Sequence, residues 1–195
     1  VVVSVFALVF SMVSMAGAQT LIVAQGADPV TLDPHGQNDQ PSARVRVQIY
    51  ETLVNHDTDL NIVPGLATSW ESISPTVLEF KLREGVKFHN GDPFTAKDVK
   101  YSLERIPQIG TVTFLVEAIT NVEVVDDYTV RIETAYPFAP ILAHLAHPST
   151  AIVNQRSVEE AGDSYGATVA IGTGPFIFKE WVSGSHVTLV RNEEY

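Results

Sequence analysis

Residues 78–105 read LEFKLREGVKFHNGDPFTAKDVKYSLER, and this stretch decides the fold class. Leu78, Phe80 and Leu82 alternate with Glu79, Lys81 and Arg83, the period of a strand with one buried face. Glu84-Gly85 predicts a turn, after which Val86 and Phe88 resume the alternation. Asn90-Gly91 turns the chain again, because both residues tolerate positive φ. Asp92 precedes Pro93 and is therefore held extended. Thr95 then stands as a helix N-cap, with Asp98 three residues on as a capping-box partner at the favourable end of the dipole. Val99, Leu103 and Ile106 share one face of that helix, and Pro107 is expected to end it.

The same run, from Leu78 to Ser102, closely resembles the signature segment of the family 5 extracellular solute-binding proteins, the dipeptide and oligopeptide receptors of ABC importers. Asn90 stands where many members carry Asp. The resemblance extends upstream to Leu32-Asp33-Pro34, Tyr50-Glu51-Thr52-Leu53, Val63-Pro64-Gly65-Leu66-Ala67 and Trp70. Downstream it takes in Gly172-Thr173-Gly174-Pro175-Phe176 and Leu189-Val190-Arg191-Asn192.

The resemblance implies an α/β, two-lobed periplasmic-binding-protein architecture, of which this chain covers the N-terminal part of lobe I with an inserted subdomain. On that reading residues 19–50 are the first segment of lobe I, 51–148 the inserted subdomain, and 149–195 the second segment of lobe I, truncated. Members are much longer, so the chain reads as an N-terminal fragment. The implied function is capture of short peptides in the periplasm and their delivery to the permease subunits of an ABC importer. The implied receptor is a monomer, not an enzyme, and needs no cofactor. Relatives that bind nickel complexes, haem, sugars or opines leave the solute open, and an extracellular hydrolase is the alternative from another class.

Residues 1–18 are uncharged and run VVVSVFALVFSMVSMAGA, too short and too soon followed by polar sequence for a membrane span. Ala16-Gly17-Ala18 fits a small-x-small cleavage site, so a signal peptide over 1–18 and a mature start at Gln19 are expected. The 195 residues carry a net charge of -11, which argues against nucleic acid as a partner. Cysteine is absent, which removes disulfides, thiolate metal sites and a cysteine nucleophile. Many members of the resembling family are anchored through a lipid-bearing cysteine. The expectation here is a soluble periplasmic protein without one.

Elsewhere the pattern predicts a short buried strand over Thr20–Ala24 and a helix from Pro41 with Val45, Ile49 and Leu53 as its apolar stripe. Residues 55–65 read as a turn-rich connection leading to a buried Trp70. Val122 and Val124 face Val130 and Ile132 across an acidic turn at Asp126-Asp127. A helix through Ile141, Leu142 and Leu145, a strand over Ala151–Val153, a helix over Gln155–Ala161 and two last strands separated by Ser183-Gly184-Ser185 complete the reading.

Chemistry-bearing residues are sparse. Asp126-Asp127 and Glu159-Glu160 are adjacent carboxylates, which cannot flank one glycosidic bond and read as solvated surface. His144 and His147 are two imidazoles with no carboxylate nearby, a weak metal set that reads as structural. Gly172-Thr173-Gly174 lacks the length and the lysine of a phosphate loop and reads as a tight turn. In the resembling receptors the loop after Leu-Asp-Pro-His meets the peptide backbone. Carried over, those residues are Asn38, Asp39 and Gln40, which an ordinary helix-capping loop explains equally well. Phe114 is the counterpart of a ligand-stacking aromatic, with core packing as its alternative.

Overall fold

The computed structural model describes residues 20–195, so the expected signal segment 1–18 lies outside the described residues. The elements run α1 (Gln40–Ile49), β1 (Val54–His56), β2 (Ile62–Pro64), β3 (Ala67–Ser74), β4 (Val77–Leu82), α2 (Ala96–Ile109), β5 (Ile119–Asp126), β6 (Thr129–Thr134), α3 (Ile141–Leu145), α4 (Gln155–Ala161), β7 (Phe176–Val182) and β8 (His186–Arg191). The class is mixed α/β, as expected. The strands form an antiparallel four-stranded sheet in the order β3-β4-β6-β5 and two separate hairpins, β1-β2 and β7-β8.

The alternation in β4 has the expected physical outcome. Phe80 pairs with Trp70 of β3 on one side and Val130 of β6 on the other. Its side chain is wholly buried with Ile132 and Val122 beneath α2, whose Val99, Leu103 and Ile106 cover that face of the sheet. Full burial of a side chain of this size contributes about 1.5–3 kcal/mol. On the opposite face Glu79 accepts from Lys81 Nζ and Arg131 Nε, each at 2.8 Å. The Asp98 carboxylate accepts from the Thr95 N–H at 3.0 Å, so the start of α2 is capped as predicted.

Several expectations need correction. Pro107 does not end α2, which continues to Ile109 and stops at Gly110 in the left-handed conformation (φ 85°). A proline removes one N–H and disturbs one turn, and in the last turn that is too little to end a helix whose apolar face is packed. The left-handed glycine, with its N–H on the Ile106 carbonyl at 3.0 Å, provides the stop. Val86 and Phe88 form no strand. The Val86–Phe94 loop closes on itself through Phe88 N–H to Asp92 O (2.8 Å) and Phe94 N–H to Val86 O (3.0 Å). Residues 55–65 hold most of β1 and all of β2 in addition to a turn, because the Asp57 carboxylate gathers the Asp59 and Asn61 N–H groups and draws the two short strands together. Trp70 is half-buried, stacked at a tilt on Phe80 with ring centres 6.5 Å apart.

The expected strands at Thr20–Ala24 and Ala151–Val153 are absent. Leu21, Ile22 and Val23 are exposed, with no partner strand among the described residues. Ala151–Val153 is buried and extended, but its donors go elsewhere: Ile152 N–H to Glu51 O (2.9 Å) and Val153 N–H to Ser102 Oγ (2.9 Å).

Buried apolar residues fall into two clusters. One is built around the four-stranded sheet and α2, with members from Leu53 to Ile152. The other joins Leu32, Ile49 and Tyr50 to Ala151, Val153, Val158, Tyr165 and Ala170. Gly172-Thr173-Gly174 fastens α1 to this second region by close approach rather than by a tight turn. A Cβ on Gly172 would stand 2.1 Å from the Ile49 carbonyl oxygen, and one on Gly174 would stand 2.8 Å from that of Gln48. The Gly174 N–H bonds the Ile49 carbonyl at 2.9 Å. Gly172→Ala is therefore expected to destabilise the full-length protein by about 2 kcal/mol, the range of core overpacking. An unchanged urea midpoint would mean that the loop shifts without cost.

Candidate functional site

The segment Leu32-Asp33-Pro34, which carries part of the family resemblance, leads into the turn Asp33-Pro34-His35-Gly36, and residues far apart in the chain meet there. The turn is closed locally by His35 N–H to Asp33 Oδ1 (3.0 Å) and Gly36 N–H to the Asp33 carbonyl (3.2 Å). From α2, Arg105 grips the Asp33 carboxylate with two parallel bonds of 2.9 and 2.6 Å. Its guanidinium also lies 5.6 Å over the Tyr165 ring. Asp33, Arg105 and His35 are 7%, 8% and 0% exposed.

His35 takes part through both ring nitrogens. Arg105 donates to Nδ1 at 2.8 Å, which leaves Nε2 as the protonated nitrogen, donating to the Ala151 carbonyl at 3.0 Å. Burial, only partly opposed by the Asp33 charge, lowers the imidazole to about 4, so it is neutral at pH 7. Burial alone would raise the Asp33 carboxyl. The Arg105 bonds and charge outweigh it and hold Asp33 below its ordinary value.

The next segment is held from α1. Arg46 is almost wholly buried, and its Nη1 reaches the carbonyls of Asp33 (3.0 Å), Pro34 (3.1 Å) and Gln37 (2.7 Å). Ser149 Oγ, from the His-Pro-Ser-Thr run, approaches the Gln37 carbonyl at 3.4 Å. The backbone from 33 to 37 is thus clamped from beneath, and residues 38–40 emerge from the clamp.

Asn38 and Gln40 are exposed and Asp39 is half-buried. Asp39 is the N-cap of α1, its Oδ1 accepting the Ser42 N–H at 2.9 Å. The helix-capping role is therefore real for the Asp39 side chain. The backbone is a separate matter: among the described residues the Asn38 carbonyl and the Asp39 and Gln40 N–H groups take no partner. The turn thus leaves one acceptor and two donors free among the described residues.

Phe114 belongs to another element, the one-turn 3-10 segment Thr113–Leu115, where its ring is 48% exposed while Leu115 beside it is buried. Core packing does not account for it. His144 and His147 are engaged separately: Nδ1 of His144 bonds the Leu115 carbonyl (3.0 Å), and Nδ1 of His147 accepts the Ser149 N–H (3.1 Å). Asp126, Asp127, Glu159 and Glu160 are exposed. Among the described residues no group of three His, Cys, Asp or Glu side chains is placed to hold a metal, and no helix is long and apolar enough to cross a membrane.

Sequence reasoning did not find Arg46, Arg105 or His35. The available signal was the sequence Val45-Arg46-Val47, in which a charged residue interrupts apolar neighbours in the last turn of a helix. The stripe Val45, Ile49 and Leu53 assigns Arg46 to the solvent face, yet the buried face of α1 carries Ser42, Arg46 and Ile49.

A family model described as bacterial extracellular solute-binding proteins, family 5 Middle, matches residues 61–195. The chain is 35% identical over 188 residues to the probable D,D-dipeptide-binding periplasmic protein DdpA of Escherichia coli (strain K12), covering 90% of this chain and 36% of that protein. It is 30% identical over 204 residues to the periplasmic oligopeptide-binding protein OppA of Salmonella typhimurium, covering 94% of this chain and 38% of that one. Among solved structures, Listeria monocytogenes OppA bound to peptide superposes with a TM-score of 0.80 at 30% identity, over 88% of this chain and 38% of that chain. The chain thus spans little more than a third of the length of the relatives it matches. With a family model that matches residues 61–195, well over half of its length, the chain belongs to the bacterial extracellular solute-binding proteins of family 5.

Proposed function

We propose that this chain supplies the first-lobe part of a periplasmic receptor that captures short peptides and hands them to the membrane permease of an ABC importer. The observation that carries this reading is the exposed turn 38–40, whose free backbone groups are held in place by the buried clamp. Peptide backbone pairs with such a turn whatever its side chains, which suits a receptor tolerant of sequence. The names of the relatives, DdpA and OppA among them, support peptides as the solute class.

The two apolar clusters support the division into lobe I (residues 19–50 and 149–195) and an inserted subdomain (51–148). Export directed by residues 1–18, a periplasmic location and a monomeric receptor belong to the same reading. Solute is bound rather than turned over: it closes the two lobes, and the closed form docks on the permease. Phe114, with its half-exposed ring, offers a stacking surface for a solute side chain.

Gln40→Pro tests the turn. Gln40 is the first residue of α1, a position where proline suits the helix, and the change removes the N–H together with one exposed side-chain bond from Arg44. Peptide affinity of the full-length protein, measured by isothermal titration, is expected to fall by about 1–3 kcal/mol, the cost of one lost buried hydrogen bond. Unchanged affinity in a normally folded variant would leave the turn with a capping role alone.

A further inference from the structure

The Gly172-Thr173-Gly174 loop, which rests on the end of α1, is also held by one residue of the signature stretch. His89 reaches it three times. Its N–H donates to the Gly172 carbonyl (2.9 Å), its Nε2 bonds the Gly174 carbonyl (2.9 Å), and its Nδ1 faces the Gly172 N–H at 3.4 Å. A carbonyl only accepts and a backbone N–H only donates. Both ring contacts therefore select one form, the neutral imidazole with its proton on Nε2.

The contact continues beyond the loop. The Gly174 N–H bonds the Ile49 carbonyl at 2.9 Å, so His89 is joined through Gly174 to the last residue of α1. The first residue of that helix is Gln40, in the turn 38–40. Asn192 Nδ2 supports the same Gly174 carbonyl at 3.2 Å.

A second proton on the ring reverses one of these contacts. An imidazolium donates from both nitrogens. Nε2 keeps its acceptor, but Nδ1–H then points at the Gly172 N–H, donor against donor. Gly172 cannot yield towards α1, because the Ile49 carbonyl oxygen stands 2.1 Å from where its Cβ would be. The strain is relieved only by parting the ring from the loop.

The ring is half-buried, and burial, opposed by the Gly174 carbonyl, lowers it from its ordinary value, so the neutral form prevails at pH 7. The charged groups around it are engaged with one another. Lys87 and Asp92 of its own loop pair with Glu194 (3.3 Å) and with Arg156 of α4 (2.7 Å). Tyr50 and Glu51 follow Ile49 on the α1 side. None of these is a source of the lowering.

We propose that His89 is a proton-sensitive clasp: neutral, it ties the signature loop to Gly172 and Gly174, and protonated at Nδ1 it releases them and loosens their hold on α1. The clasp joins the inserted subdomain to the second segment of lobe I, and it stands whatever the solute is.

The test follows the full-length protein by NMR between pH 7 and pH 4.5, reading the His89 ring and the exchange protection of the Gly172 and Gly174 amides, corrected for intrinsic rates. As the ring titrates, protection of both amides is expected to fall about tenfold, the worth of one hydrogen bond. His89→Gln keeps a donor for Gly174 and an acceptor for Gly172 but does not titrate, so its two amides are expected to stay protected over the same range. The proposal is overturned if the ring takes its proton while both amides stay protected. It is equally overturned if wild type and His89→Gln lose protection in parallel, as they would through His35 or global unfolding. Thermal melting checks the fold of the variant, and if that fold is lost, the ring and amide titrations of the wild type decide by themselves.

Discussion

Arg105→Met is expected to destabilise the full-length protein by about 3–5 kcal/mol, because it leaves the Asp33 carboxylate buried and unpaired. The pair is a strong case of its kind. Both partners are less than a tenth exposed, the two bonds are 2.9 and 2.6 Å, and the residues are 72 apart in the chain. The desolvation of Asp33 is matched chiefly by Arg105, with one further bond from the His35 N–H, so removing Arg105 exposes most of the penalty. Asp33→Asn combined with Arg105→Met removes both charges, and most of the loss is expected to return. Urea unfolding of the single and double variants measures this. A single-variant cost below about 1 kcal/mol, the worth of an exposed pair, would mean that water reaches the site. Peptide affinity is expected to fall with stability, since the turn that Arg105 secures leads into residues 38–40.

Stability is also expected to fall steeply as pH drops from 6.5 towards 4, through His35. In the unfolded chain this imidazole takes a proton near its ordinary 6.5, whereas in the fold burial holds it neutral down to about 4. Between those values the unfolded state binds more protons, so stability rises with pH across the window. At about 1.4 kcal/mol per pH unit the full difference is about 3 kcal/mol. The groups facing the ring act in opposite senses: Asp33 favours the charged form, while Arg105 and Arg46 oppose it. Asp33, lowered by its pairing with Arg105, adds a loss of the same sign at more acid pH. His35→Gln lacks the titrating group, so its unfolding free energy is expected to vary less between pH 7 and pH 4.5 than that of the wild type. Equal slopes for the two proteins would remove His35 from the acid response.

How far these features were legible in the sequence depended on whether the deciding partner was local. Thr95 and Asp98, the hairpin around Asp126-Asp127 and the bounds of α4 were readable because cap, turn and period lie within a few residues of one another. β3 was missed because Ser69, Glu71, Ser72 and Ser74 give it the look of a loop. It sits at the edge of its sheet and holds its place through the ladder to β4. The converse error was made at Thr20–Ala24 and Ala151–Val153, where an apolar run says nothing about whether a neighbouring strand exists. The turn 38–40 was placed by resemblance. The clamp beneath it was not visible. A buried arginine and a neutral buried histidine are defined by groups dozens of residues away, and periodicity assigns such side chains to solvent.

The contact of Gly172 and Gly174 with the end of α1 has a consequence for how this molecule is made. It closes a loop of well over a hundred residues, with the Gly174 N–H on the Ile49 carbonyl as its latch. The entropy of closing so long a loop grows only with the logarithm of its length, about 0.6 kcal/mol for each doubling. Lengthening the enclosed chain is therefore almost free at equilibrium. Its kinetic effect is larger, because contacts of such sequence separation slow folding. The sheet and α2 can assemble from nearby chain, while the latch waits for residue 174 to emerge from the ribosome. Until then the α1 end stays open, and a nascent chain passes through a stage in which its signature region is ordered and this end of the helix is not.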